Sequence, residues 1–169
     1  MLNALRQRSA LKRRAAALLA GLSAQARLPV FYETYSVPDT IDGRFDLLVL
    51  HAWLVLDRLS EQKLKDLAQG VIDDLFMQFD EALRQQGAGD MAMGRRMTKM
   101  ADAFYGRVKA YGDAGDADTF AAAIVRNVFR GNDAMLEPAK RLAIYIRSAR
   151  EELRSQDLSA GDIIFGPIP

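Results

Sequence analysis

Apolar positions recur every three to four residues along almost the whole chain and nowhere alternate strictly with polar ones. Such spacing lays one apolar stripe along each of a series of helices and predicts no strand. The clearest run is Leu64, Leu67, Ala68, Val71, Ile72, Leu75, Phe76, Phe79 and Leu83, which follows the roughly 3.6-residue period of an amphipathic helix. Ala4, Leu11, Ala15, Leu18 and Leu22 line one face of an earlier segment. The pattern divides the chain into helices at about 3–25, 44–59, 60–86, 90–111, 117–130 and 137–155, with a short helical turn after them.

Boundary residues support this division. Ser60 and Asp116 are the expected N-caps of the third and fifth helices. Gly87-Ala-Gly89, Gly112 with Gly115, and Gly131 are expected stops, and Pro138 fits the first turn of the sixth helix. Residues 27–43, punctuated by Pro29, Pro38 and Gly43, read as a long loop carrying Phe31, Tyr32 and Tyr35. The tail Phe165-Gly-Pro-Ile-Pro reads as frayed. The expected fold is therefore all-α, a single-domain bundle of about six to seven helices around a central apolar helix at about 44–59. Residues 1–26 form a helix that is part of the domain or appended to it, 27–156 form the helical body, and 157–169 form a turn and tail.

The central segment, Gly43–Ser60, holds the only histidine and the only tryptophan. On a helical wheel at about 100° per residue, Arg44, His51 and Arg58 fall in one sector and Asp46, Trp53 and Asp57 in another, with Leu48, Val49, Ala52, Val55 and Leu56 on the third side. A helix this apolar is mostly buried, and buried polar groups need partners. His51 is then a hydrogen-bonded core residue, bonded to a neighbouring helix or the 27–43 loop, or alternatively a ligand or proton-transfer group. Trp53 is a core residue or the wall of a groove.

Charge changes the picture at one end. Met1–Tyr32 carries Arg6, Arg8, Lys12, Arg13, Arg14 and Arg27 and no acid, while the rest of the chain carries 17 basic and 22 acidic residues. A basic arm on an acidic body reads either as a solvated helix or as a surface for an anionic partner, with Arg6, Arg8, Lys12, Arg13 and Arg14 as its contacts. No stretch approaches the roughly 18–20 apolar residues of a membrane span. The start of the chain lacks a secretory pattern and reads as a retained helix.

Candidate chemistry is sparse. The absence of cysteine excludes disulfides, thiol catalysis and Cys-ligated metal, and a lone histidine excludes two-histidine metal motifs. Asp73-Asp74 does not extend to an aspartate-rich prenyl-transferase motif, because Met77 stands where an acid is required. No serine lies in a nucleophile elbow and no glycine loop resembles a phosphate cradle. The run Met91–Met100 places Met93, Met97 and Met100, with Phe104 and Tyr111 further along, in a narrow sector beside Arg95, Arg96 and Lys99. Methionine stripes serve as core or as adaptable surfaces for apolar partners, and more rarely as metal or haem ligands.

Four pieces of the chain resemble the ubiquinol–cytochrome c chaperone family. They are Phe31-Tyr32 with Val37-Pro38-Asp39-Thr40 leading into Leu50-His51-Ala52-Trp53; Val71 to Glu81, with Asp73-Asp74 and Phe76; Met97-Thr-Lys-Met100 with Tyr111-Gly-Asp113; and Ala121 to Phe129, with Arg126-Asn127, followed by Tyr145-Ile-Arg147. They span roughly residues 30–150 in the family's order. The resemblance implies a non-enzymatic helical chaperone, with no cofactor, that holds newly made cytochrome b or another subunit during assembly of the ubiquinol–cytochrome c reductase. It marks His51, Asp73, Asp74, Arg126, Asn127 and Arg147 as family-motif polar residues. The chain looks like the bacterial form, a cytoplasmic protein reaching the inner membrane peripherally, with the ribosome or an anionic membrane as further partners and no specific DNA. The expected client contacts are Trp53, Met93, Met97, Met100, Phe104, Tyr32 and Tyr35. Two rivals stand beside it: a nucleic-acid- or anionic-lipid-binding module working through the basic helix, and a small-molecule enzyme around His51.

Overall fold

The computed structural model describes residues 2–85 and 90–169, with the side chains of Leu2, Asp90 and Met91 outside the description; the expected break at Gly87-Ala-Gly89 also lies outside it. Among the described residues there are seven α-helices, α1 (Leu2–Ala26), α2 (Val30–Glu33), α3 (Ile41–Glu61), α4 (Lys65–Gln85), α5 (Asp90–Gly112), α6 (Ala117–Val128) and α7 (Leu136–Arg154), two 3-10 turns, and no strand.

Helix α3 is central because it is apolar nearly all round. Eleven of its residues are buried, and it touches α1, α4, α5, α6 and α7. It starts at Ile41, three residues earlier than its pattern suggests, and is capped by Thr40, whose hydroxyl accepts from the Gly43 N–H at 3.1 Å. Gly43 is required there: a Cβ would lie 1.9 Å from the Pro38 carbonyl oxygen.

Around it, α1 contributes Ala15, Leu18, Leu19, Leu22 and Ala26 against α3 and α4. Helix α4 buries Leu67, Val71, Leu75, Phe79 and Leu83, the inner line of the stripe read from the sequence. Helices α6 and α7 pair with each other and cover the rest of α3. Asp116 caps α6 in a box with Thr119. The 27–43 segment is not a plain loop: α2 interrupts it and drives Phe31 into the core, followed by Tyr35 and Val37.

Two sequence expectations are corrected. Ser60 is not an N-cap; α3 runs through it to Glu61, and the chain turns at Lys63. Lys63 has φ 60°, its N–H donates to the Ser60 carbonyl at 3.0 Å, and the Leu64 N–H donates to the Leu59 carbonyl at 2.9 Å. This is the double hydrogen bond of a Schellman helix end. The signal was hidden because a lysine occupies the left-handed position usually held by glycine. Since an L-residue there costs about 1 kcal/mol, Lys63→Gly is expected to raise unfolding stability by about that amount, read from urea midpoints.

The tail is likewise not frayed. Phe165 is buried with its ring 5.4 Å from that of His51. The Tyr35 hydroxyl donates to the Pro169 carbonyl at 2.7 Å. Gln156 clasps Ile164 in both directions, its amide donating to the Ile164 carbonyl at 2.7 Å and accepting from the Ile164 N–H at 2.9 Å. Ile163 lies against Gly21, where a Cβ would come within 2.4 Å of it. Gly21, Tyr35 and His51 are distant from the tail in sequence, and Phe-Gly-Pro-Ile-Pro has no periodicity to reveal them.

Candidate functional site

The polar residues of α3 are resolved by what they meet. His51 is fully buried. Its Nδ1 lies 2.7 Å from the Leu47 carbonyl, an acceptor, so Nδ1 carries the proton and donates. Nε2 then accepts from the Tyr145 hydroxyl on α7 at 2.9 Å, and the Gln25 amide donates to that hydroxyl at 3.0 Å. Burial pushes the imidazole down to about 4, so it is neutral at physiological pH. Both ring nitrogens are committed to protein partners, which leaves none for a metal or substrate.

Asp46 is also fully buried, 2.9 Å from Arg107 Nε on α5 and 2.8 Å from Arg130 Nη1 after α6. Burial pushes its carboxyl up to about 6 against the pull of the two guanidiniums. Asp57 holds Arg150 of α7 in a two-pronged pair at 2.7 and 3.1 Å. Thus the acidic seam of α3 locks α5, the end of α6, and α7 onto it.

One concavity follows from this. The Arg150 guanidinium held by Asp57 lies 5.4 Å from the centre of the Trp53 ring, a cation–π distance. Trp53 packs against Phe120 at 5.3 Å and Tyr111 at 5.9 Å. Between the α5–α6 turn with the start of α6 and the outer face of α7 lies a solvent-open groove of about 460 Å³. Its floor is Trp53, Phe120, Ala143 and Ile146, and Ile144 stands on its lip, 52% exposed. Asp116 and Asp118 line one side, Lys140 and Arg147 the other. Lys140 is engaged by Glu137 at 2.9 Å, whereas Arg147 is exposed with no ion-pair partner among the described residues.

The structure brings Trp53 and Arg147 to this groove and places the other expected residues elsewhere. The methionine stripe does not share it: Met93 is buried, Met97 and Met100 are half-buried against the core, and Phe104 is fully buried against Phe76 at 5.5 Å. The stripe faces inward because α5 packs on α3 and α4. Tyr32 donates to the Ala26 carbonyl at 3.1 Å and edges a smaller cleft of about 250 Å³ with Arg27, Asp39 and Arg44. Tyr35 is buried beneath the tail. Asp73 accepts from the Gln69 amide at 2.7 Å, and Asp74 is half-buried. Arg126 is exposed, and the Asn127 amide lies against the buried Tyr111 hydroxyl. Arg14 is fixed to the Ser159 carbonyl at 3.0 Å; Arg6, Arg8, Lys12 and Arg13 are exposed.

Sequence reasoning missed Phe120, Ile144 and Arg150. Ile144 did leave a signal: it lies roughly opposite the Leu142, Ile146, Ala149 and Leu153 stripe of α7, an aliphatic residue out of phase with its own core face. The Asp57–Arg150 pair left none, since the two residues are 93 apart in sequence.

The fold and the site define an all-α protein with an aromatic-floored groove open to solvent. Residues 33–161 match the family model described as Ubiquinol-cytochrome C chaperone, and the chain belongs to that family. It is 36% identical to a solved structure described as the Cbp3 homolog from Brucella abortus, covering 99% of this chain and 98% of that one with a TM-score of 0.86. It is also 22% identical over 149 residues to "Ubiquinol-cytochrome-c reductase complex assembly factor 1" of Xenopus laevis, covering 82% of this chain and 73% of the relative. Among the described residues no helix is long and apolar enough to cross a membrane.

Proposed function

We propose that this chain is an assembly chaperone of the ubiquinol–cytochrome c reductase that holds newly made cytochrome b, seating an apolar segment of it in the groove over Trp53 and Phe120. Membership of the chaperone family supports the process. The observation that carries the seat is the groove itself: an aromatic floor open to solvent, an exposed aliphatic lip at Ile144, and a cation at Arg147 that has no ion-pair partner among the described residues. Its size suits two or three apolar side chains of a docked segment, and Arg147 can donate to a carboxylate or a carbonyl at one end of it. Binding and release require no bond to be made, so the reading needs no enzyme chemistry and no cofactor. The protein then works at the cytoplasmic side of the bacterial inner membrane as a peripheral component. Met97 and Met100, half-buried on α5, are a second candidate contact for the same client.

The test uses the full chain and cytochrome b made in a coupled translation system. Ile144→Glu and Arg147→Glu alter exposed side chains and leave the core intact. Each is expected to reduce recovery of cytochrome b about tenfold, the effect of losing a groove contact worth about 1–2 kcal/mol, while circular dichroism stays that of the wild type. Full recovery by both variants would remove the groove from the mechanism.

A further inference from the structure

The first turns of α1 have no fold-stabilising role that the structure reveals. Residues 3–9 are exposed on every side, so about two turns of helix stand clear of the body before α1 begins to pack at Ala10 and Leu11. A helical segment with no packed face is marginal by itself. Its charges are also unlike those of the body. The chain after Tyr32 mixes 17 bases with 22 acids, and several of its exposed bases meet one, as Lys109 does Asp113, Lys140 Glu137, and Arg154 Glu61 and Glu151. Arg6, Arg8, Lys12 and Arg13 meet none among the described residues: Arg13 donates to the Ser9 hydroxyl at 3.0 Å, and no acid occurs before Glu33.

The arrangement is not a uniform cationic rod. At about 100° per residue, Leu5 and Ser9 lie along one line, with Arg8 and Lys12 on one side of it and Arg6 and Arg13 on the other, within an arc of about 160°. Leu5 is 64% exposed. An exposed leucine between two basic rows can sit at a bilayer interface, the aliphatic side chain entering the acyl boundary while the bases meet headgroups. A polyanion in water would satisfy the bases and leave the leucine in water. The arm also lacks any aromatic side chain to stack on a base, the first aromatic residue being Phe31.

We infer that the projecting start of α1 is a docking arm for an anionic lipid surface, with Arg6, Arg8, Lys12 and Arg13 on headgroups and Leu5 in the interface. The inference rests on the reading of the protein as peripheral to a membrane and adds the surface that binds and the lipid chemistry it selects. The attachment is electrostatic and reversible, and it uses none of the residues that line the Trp53 groove.

The experiment measures co-sedimentation of the full chain with phosphatidylcholine vesicles, with and without phosphatidylglycerol. Binding is expected only with the anionic lipid and should weaken steeply as salt rises. Each base replaced by glutamine should reduce partitioning about fivefold, the equivalent of roughly 1 kcal/mol per base near an anionic surface, so Arg6→Gln, Arg8→Gln, Lys12→Gln and Arg13→Gln together abolish it. Leu5→Gln should weaken binding several-fold without changing its salt dependence. Cytochrome b recovery should survive the arm substitutions, whereas Ile144→Glu loses recovery and keeps vesicle binding. Vesicle binding that persists in the fourfold variant, or that ignores lipid charge, overturns the inference. So does tighter binding to RNA than to anionic vesicles with no effect of Leu5→Gln. Should the fourfold variant not fold, the salt titration and Leu5→Gln on the otherwise intact chain decide the matter in the same way.

Discussion

Phe165→Ala is expected to destabilise the protein by about 3 kcal/mol, the lower part of the range for emptying a buried phenylalanine site. The ring is 5% exposed and closes the aromatic cluster of Phe31, His51 and Tyr145 from the outside. Its loss removes the contact with the imidazole and leaves the space of a phenyl ring beside it. The Tyr35–Pro169 hydrogen bond and the Gln156–Ile164 clasp keep the backbone in place, which favours a cavity over simple detachment. A urea unfolding series with wild type and variant measures it. A loss below about 0.5 kcal/mol, typical of a surface position, would mean that the tail contributes nothing to the core.

The second large effect lies in the pH dependence of stability, where two buried groups on α3 act in opposite directions. His51 titrates at about 4 in the folded protein, below its ordinary 6.5. Its contribution is therefore fully present above pH 6.5 and is lost as acid drives a proton onto the unfolded chain that the core does not accept. Asp46 titrates at about 6 in the folded protein, above its ordinary 3.8. The folded state takes up its proton first, so this group adds stability as pH falls from about 6 towards 4. Each slope is about 1.4 kcal/mol per pH unit, from linkage, and each totals about 3 kcal/mol. The wild type should be nearly flat between pH 6 and 4.5. Asp46→Asn should unmask the histidine and lose about 1.4 kcal/mol per unit on acidification. His51→Gln should do the reverse and gain on acidification. The double variant should be flat again. Parallel profiles for all four proteins would show that neither group titrates within the core.

These two sites also show what a sequence can disclose. That His51 and Asp46 are buried follows from the apolar circumference of the segment holding them, and burial demands partners. The identity of those partners does not follow. Tyr145 comes from a helix 94 residues away and Arg107 from one 61 residues away. Nothing in local spacing links them, because side-chain pairing across helices depends on crossing angles that the chain sets only when it packs. Lys63 illustrates a different limit. Its left-handed turn is imposed by Leu59 and Leu64 on either side of the bend, and tertiary packing overrides the preference of the residue itself.

What the sequence determined alone was everything governed by neighbours a few residues apart: the helical class, six long helices and their apolar stripes, the cap at Asp116, the central place of the histidine–tryptophan helix, and the run of bases without an acid before Glu33. Tertiary structure decided which apolar stripe would be core and which residues would border open space. It turned the methionine stripe of α5 inward, folded Phe165 onto His51, and assembled the groove from Trp53, Phe120, Ile144 and Arg147, residues of three separate helices. The division has a physical cause. Periodicity reports that a face must leave water, but only the packing of all the helices together determines which faces find one another and which patch is left uncovered.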